Sequence, residues 1–178
     1  MIVEIIIGVV ALIIVLIIIT NIKSKNKFNF AILKIDEAES NLDVLLLRKM
    51  DLLERTVPIV KKELKLDDFL TELSFMAEAD LNHFQMNDML RSQYNELFKT
   101  LDENDKLFKS EALNHILRDL NENEEAIVGS IKYYNDNVVI FNHLVTSFPS
   151  KIVAFFKHYK KKEFYNNEDK EMYEIINQ

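Results

Sequence analysis

Almost no polar side chain interrupts the first stretch of the chain. From Ile5 to Ile19 every residue is apolar or glycine, and Thr20, Asn21 and Ile22 extend the run. Drawn as a helix, residues 2–22 reach about 30 Å at ~1.5 Å per residue, which matches the hydrocarbon core of a bilayer. Isoleucine and valine are mediocre helix formers in water. In lipid, however, the backbone must satisfy its own hydrogen bonds, and a helix does so within one segment. A cleaved signal peptide would need a basic start, a shorter apolar region and a small-x-small cleavage site. Here Glu4 stands where basic residues should be, and Asn21-Ile22-Lys23 follows the run. The pattern predicts an uncleaved membrane anchor.

After the anchor the pattern becomes amphipathic. Over residues 28–66, Ala31, Ala38, Leu45, Leu52, Ile59 and Leu66 recur every seventh position. Phe28, Ile35 and Leu42 flank this stripe early, and Ile32, Leu46, Leu53 and Val60 flank it later. The drift predicts a long bundle helix with little supercoil, running straight out of the anchor, because residues 23–27 hold no breaker. Pro58 removes one backbone donor and predicts a kink or a break near Thr56. Residues 110–147 carry a cleaner seam. Leu113, Leu120, Ile127, Tyr134, Phe141 and Phe148 form one heptad row, and Leu117, Glu124, Ile131, Val138 and Val145 form the row four residues on. Ser110 suits an N-cap, and Phe148-Pro149 ends the helix. Between the two lies a less regular helix over 67–101, opened by Asp67-Asp68 and closed by a turn at Asp102–Asp105. Ile152–Tyr159 reads as a short apolar helix, followed by Lys160-Lys161-Lys162.

The expected fold is therefore all-α: an N-terminal transmembrane helix, then an elongated antiparallel bundle of three long helices with a shorter C-terminal helix and coiled-coil-like seams. The organisation reads as an anchor over 1–22, a basic juxtamembrane segment over 23–27, the bundle over 28–162 and a tail or frayed helix over 163–178. Short connections make sequential helices antiparallel, so helices one and three are expected to run parallel in a rod about 50 Å long. Lys157–Lys162 are basic enough to touch anionic lipid, but on that arrangement they lie far from the bilayer, which favours a solvated loop.

Composition sharpens this picture. Only 2 Gly and 2 Pro in 178 residues leave too little turn punctuation for a β-rich domain. The absence of Cys excludes disulfides, thiolate zinc sites, a thiol nucleophile and a diacylglyceryl anchor. A net charge of −7 gives no global attraction for nucleic acid. Lys23, Lys25 and Lys27 trail the apolar run, and the positive-inside rule then predicts a cell-membrane protein with a single span, its N-terminus outside and its helical domain cytoplasmic.

Two segments resemble a known family. Leu42-Asp43-Val44 followed by Arg48-Lys49-Met50-Asp51-Leu52-Leu53 is similar to an Ile-Asp-Val…Arg-Arg-x-Asp-Leu-Ile segment. Glu124-x-x-Ile127, then Tyr134-Asn135-x-x-Val138-x-x-Phe141-Asn142 and Ser147-Phe148-Pro149-Ser150, is similar to Glu-x-x-Ile, Tyr-Asn-x-x-Val-x-x-Tyr-Asn and Phe-Pro-Ser. These are features of the LemA family of bacterial membrane proteins, which the chain resembles as a divergent member. It departs where Glu54 replaces a proline, where a Tyr-Pro is missing around Asn104 and Asp105, where Ser130-Ile131 replaces Ala-Arg, and near Lys157-His158, where a Gly-Phe is replaced. The resemblance implies a helical bundle on a membrane anchor and implies no defined activity.

Candidate chemistry is sparse. Glu124 sits in an apolar row, where a lone charge is costly, so pairing with Arg48 or Lys49 is expected, with Arg48 preferred for its planar fork. A proton-linked or ligand-binding Glu124 is the sharper alternative. Asn114, Asn121, Asn135 and Asn142 repeat at heptad spacing beside the seam and read as structural hydrogen bonders or as a partner-binding stripe. Asp80-x-x-His83 is a lone metal-like spacing, short of a di-iron set, and Asp36, Glu37, Glu39 and Asp43 read as a solvated helix face. No catalytic residue, metal ligand or cofactor is expected. The predicted role is a membrane-tethered interaction or scaffold protein, touching lipid through residues 2–22 and unidentified proteins through its bundle, with no nucleic acid. The alternative is a ligand-sensing bundle with a pocket near Glu124.

Overall fold

The structure, a computed structural model, describes residues 2–76 and 79–165. Among them the chain is helical with no strand: α1 (Ile2–Leu64), α2 (Glu72–Met76), α3 (His83–Asp102), a 3₁₀ turn over Asp105–Lys109, α4 (Glu111–Thr146) and α5 (Ser150–Lys157). The long apolar N-terminal helix followed by a helical bundle is the architecture that the hydrophobic pattern predicts. Two compact units are distinguished, one made of Met1–Glu37 with Tyr133–Gln178, the other of Ala38–Lys132. Helices α1 and α4 each contribute to both.

Helix α1 runs without interruption from the apolar run into the amphipathic region, since residues 23–27 contain neither Gly nor Pro. Pro58 does not break it: the helix continues to Leu64. Thr56 is buried there, and its hydroxyl donates to the Leu53 carbonyl at 2.7 Å. The buried face of α1 is the row Phe28, Ile35, Leu42, Lys49, Thr56, supported by Ala31, Ala38, Leu46, Leu53 and Val60.

Three expectations are corrected. The segment 67–101 is not one helix. It holds the short α2, and the chain then leaves helical conformation before α3. The physical cause is a capping box: the Asn82 side chain accepts from the Gln85 amide at 3.0 Å, and the Gln85 side chain accepts from the Asn82 amide at 3.2 Å. Those two bonds answer donors that a helix start leaves open, so a new helix begins at His83. Next, the first and last long helices are not parallel. In the first unit the ring of Phe28 lies 5.6 Å from that of Phe141, while Lys34, six residues later, reaches Tyr133, eight residues earlier. Helices α1 and α4 are antiparallel there. Finally, Phe148 does not complete its heptad row. Leu113, Leu120, Ile127, Tyr134 and Phe141 are buried, but Phe148 is 82 % exposed because α4 has already ended at Thr146. Most of the expected tail, 166–178, lies outside the described residues.

Ser110 caps α4, its hydroxyl accepting from the Leu113 amide at 3.3 Å. The end of α1 is less well served. Lys65, just past Leu64, has φ 54°, a left-handed conformation that costs a β-carbon-bearing residue roughly 1 kcal/mol. Lys65→Gly should therefore raise the unfolding free energy by about 0.5–1 kcal/mol in thermal or denaturant melts, while Lys65→Ala should leave it almost unchanged. Equal effects of the two substitutions would contradict the strain.

Candidate functional site

The second unit contains the buried charge. Lys49 follows Phe28, Ile35 and Leu42 at heptad spacing on α1, and this position places its side chain in the core with 1 % of its surface exposed. Its ammonium lies 2.6 Å from Glu124 Oε2 on α4 and 4.9 Å from the centre of the Tyr94 ring on α3. Three helices thus converge on one cation. Tyr94 is held in turn by its hydroxyl, which donates to Asn121 Oδ1 at 3.1 Å. Burial holds the Lys49 ammonium below its usual 10.5, against the opposing hydrogen bond and charge of Glu124. Burial also raises the Tyr94 phenol, and the Glu124 charge adds to that shift.

Glu124 therefore meets Lys49 and not Arg48. Arg48 is one position off the buried row and is exposed, while Lys49, on that row, makes the ion pair. Glu124 itself is only partly buried, with 29 % of its side chain exposed. The neighbouring Asn123 is the more buried residue, and it donates to the Leu45 carbonyl at 3.0 Å. Neither Tyr94 as an aromatic partner nor Asn123 as an interhelical donor was singled out by sequence reasoning. For Asn123 the signal was available in the row that also holds Ile116, Asn137 and Leu144, all buried, which places it inward.

The heptad asparagines have separate tasks. Asn114 donates to the Phe108 carbonyl at 2.8 Å and so secures the 3₁₀ turn before α4, and Asn121 anchors Tyr94. In the first unit, Asn135 and Asn142 grip the chain that follows α5. Asn142 Nδ2 donates to the Lys162 carbonyl at 2.9 Å, and its Oδ1 accepts from the Lys162 amide at 2.8 Å. Asn135 Oδ1 accepts from the Tyr165 amide at 3.1 Å, and the Tyr134 hydroxyl donates to the Glu163 carbonyl at 3.1 Å. Ring contacts seal both ends of this strap: Tyr159 sits against Phe28 at 4.9 Å and Phe141 at 5.8 Å, and Tyr165 meets Tyr134 edge-on at 5.0 Å. The three lysines after the apolar run, Lys23, Lys25 and Lys27, are all exposed on α1.

What these groups can do chemically is limited by how fully they are engaged. An ammonium already 2.6 Å from a carboxylate presents little free charge to a ligand. Amides closed on a backbone strap are satisfied within their own chain. The result is a class of protein: an all-helical bundle continuous with an apolar N-terminal helix, whose inward polar residues tie helices and strap together. The chain belongs to the LemA family, whose model matches residues 38–176. No curated protein and no solved structure matches it.

Two outcomes are expected. Glu124→Ala should cost about 2–3 kcal/mol because it strands the buried Lys49 ammonium, whereas Lys49→Met combined with Glu124→Leu should cost much less than the sum of the single changes. Denaturant titrations of the full set, with Arg48→Ala as a control within ~0.5 kcal/mol of the parent, give the coupling; simple additivity at 49 and 124 would remove the pair's role. Independently, Asn142→Ala removes both bonds to Lys162 at a cost of about 1–2 kcal/mol, and limited trypsin digestion should then cut faster at Lys160–Lys162. An unchanged cleavage rate would mean that the strap is held without its asparagine.

Proposed function

We propose that this protein is a membrane-tethered interaction or scaffold protein with no catalytic activity, anchored through residues 2–22, with its N-terminus outside and its bundle in the cytoplasm. The observation that carries the tether is the start of α1. It is long and apolar enough to cross a membrane, and none of its apolar window is buried by the rest of the chain. Roughly 25 cal/mol per Å² of exposed apolar surface makes such a helix costly in water and stable in lipid. Lys23, Lys25 and Lys27 support the orientation. The scaffold reading draws on the engaged polar residues: Lys49, Glu124, Tyr94 and the asparagine row each meet another part of the chain, as structural groups do. A ligand-sensing pocket at Glu124 has less support, because Lys49 already neutralises that carboxylate. Proteins and the bilayer are the proposed partners, and the acidic balance argues against nucleic acid.

The chain has no cysteine, so single introduced thiols report topology without background. A membrane-impermeant maleimide added to intact cells should label a Ser-Cys-Ser extension placed ahead of Ile2 and should label Glu125→Cys only after permeabilisation. The opposite pattern would invert the orientation. Recovery of both variants in the soluble fraction would overturn the tether.

A further inference from the structure

The end of the first unit nearest the apolar run carries an unpartnered aromatic face. Helix α5 buries Ser150, Val153 and Ala154 on one side. On the opposite side, Ile152 is 44 % exposed, Phe155 75 % and Phe156 74 %, and Phe148, just before the helix, extends the same apolar surface. With 3.6 residues per turn, positions 152, 155 and 156 fall on one face, turned away from 150, 153 and 154. Exposed Lys151 flanks this face, Lys157 ends the helix on its other side, and the exposed Lys160 and Lys161 follow it. An apolar aromatic face with lysines at its edge and just past its end is the composition of a helix that lies in a membrane interface.

Its place in the fold supplies the second argument. The first packed position on α1 is Ser24, two residues past Ile22, so almost no spacer separates the apolar run from the bundle. In the antiparallel register, Phe28 faces Phe141 and Lys34 faces Tyr133. Carried forward at equal rise per residue, Phe148 comes level with about residues 19–21, at the end of the apolar run. There the chain turns, and α5 leaves α4 at 93°. A helix perpendicular to α4, at the height where α1 leaves the hydrocarbon, lies along the bilayer surface when α1 stands across it. Between α1 and α4 at this end is an open groove lined by Phe30, Val139, Ile140 and Leu144, with Lys27 and His143 also lining it.

We propose that α5, with Phe148, is a second membrane contact: an in-plane helix that sets Phe148, Ile152, Phe155 and Phe156 into the boundary between headgroups and acyl chains, while Lys151, Lys157, Lys160 and Lys161 meet anionic headgroups. This rests on the anchor reading, and it assigns the chain a two-point attachment to lipid. The contact holds the bundle against the bilayer and fixes its rotation about α1.

The chain contains no tryptophan, so one introduced residue reports its own environment. The full chain is reconstituted into phosphatidylcholine vesicles with a minority of phosphatidylglycerol, with Phe156→Trp, Leu12→Trp and Phe108→Trp as three separate variants. Circular dichroism verifies that each is folded. Leu12→Trp should be quenched most by lipids brominated near the acyl tail. Phe156→Trp should emit at blue-shifted wavelength and lose most intensity on lipids brominated near the headgroup, and Phe108→Trp should be unaffected by either. Replacing Lys160 and Lys161 by Glu should weaken the Phe156→Trp quenching. If Leu12→Trp is quenched while Phe156→Trp emits as in water, the in-plane helix is wrong and the anchor stands. Blue-shifted Phe156→Trp emission insensitive to bromine means that protein covers the face, which also overturns the proposal. Loss of quenching at Leu12→Trp removes the anchor and the inference together.

Discussion

Helix α1 does not pause between its apolar part and its packed part, and that continuity governs what the first unit can be. A helix holds its residues at ~1.5 Å intervals along a stiff axis. Side chains that pack at Ser24, Phe28 and Ala31 are therefore fixed close to the apolar segment, with no linker to absorb error. The antiparallel return of α4 follows the same rail, marked by Phe28 against Phe141 and by Lys34 near Tyr133. So does the strap after α5, whose Tyr159 is wedged between Phe28 and Phe141. Without that stiffness, a turn of 93° after α4 would have no defined meaning relative to the apolar run.

In the second unit the governing problem is different: a cation stands where the packing pattern calls for an aliphatic residue. Removing an ammonium from water is tolerable only with a partner and good geometry. The unit supplies a carboxylate from α4 and a ring face from α3, so three helices agree on one position. The ammonium at 49 meets both partners in this one arrangement of the three helices. The partial exposure of Glu124 softens the electrostatics by giving the carboxylate contact with water.

Much of this was legible in the residues, and the failures have identifiable causes. Helical class, the continuity of α1, the cap at Ser110 and the end of α4 before Pro149 follow from periodicity and the scarcity of glycine and proline. The choice between Arg48 and Lys49 was decidable too, since Lys49 continues Phe28, Ile35 and Leu42 at sevens and Arg48 does not. Favouring the better hydrogen-bonding fork put side-chain chemistry ahead of position. Helix direction failed for a longer-range reason. The connection after Leu64 is long and irregular, with left-handed Lys65 and Leu70, and the capping box at Asn82 and Gln85 ends any single helix over 67–101. Asn82-x-x-Gln85 was legible as a helix start, but the direction in which α4 runs along α1 is set by contacts far apart in sequence, such as Phe28 with Phe141. The left-handed His158 that closes α5 also gives a reason for a glycine near this point in the family pattern, because glycine adopts that conformation without strain.

The clasp at Asn142 has a consequence for how this sequence can change over time. It grips the amide and carbonyl of Lys162, and Asn135 and Tyr134 hold main-chain atoms of Tyr165 and Glu163. A fastening that reads only backbone is blind to the letters it holds. Substitutions at the exposed positions 160, 161 and 163 thus leave these backbone bonds in place, so selection can retune the surface chemistry of this edge without renegotiating the fold.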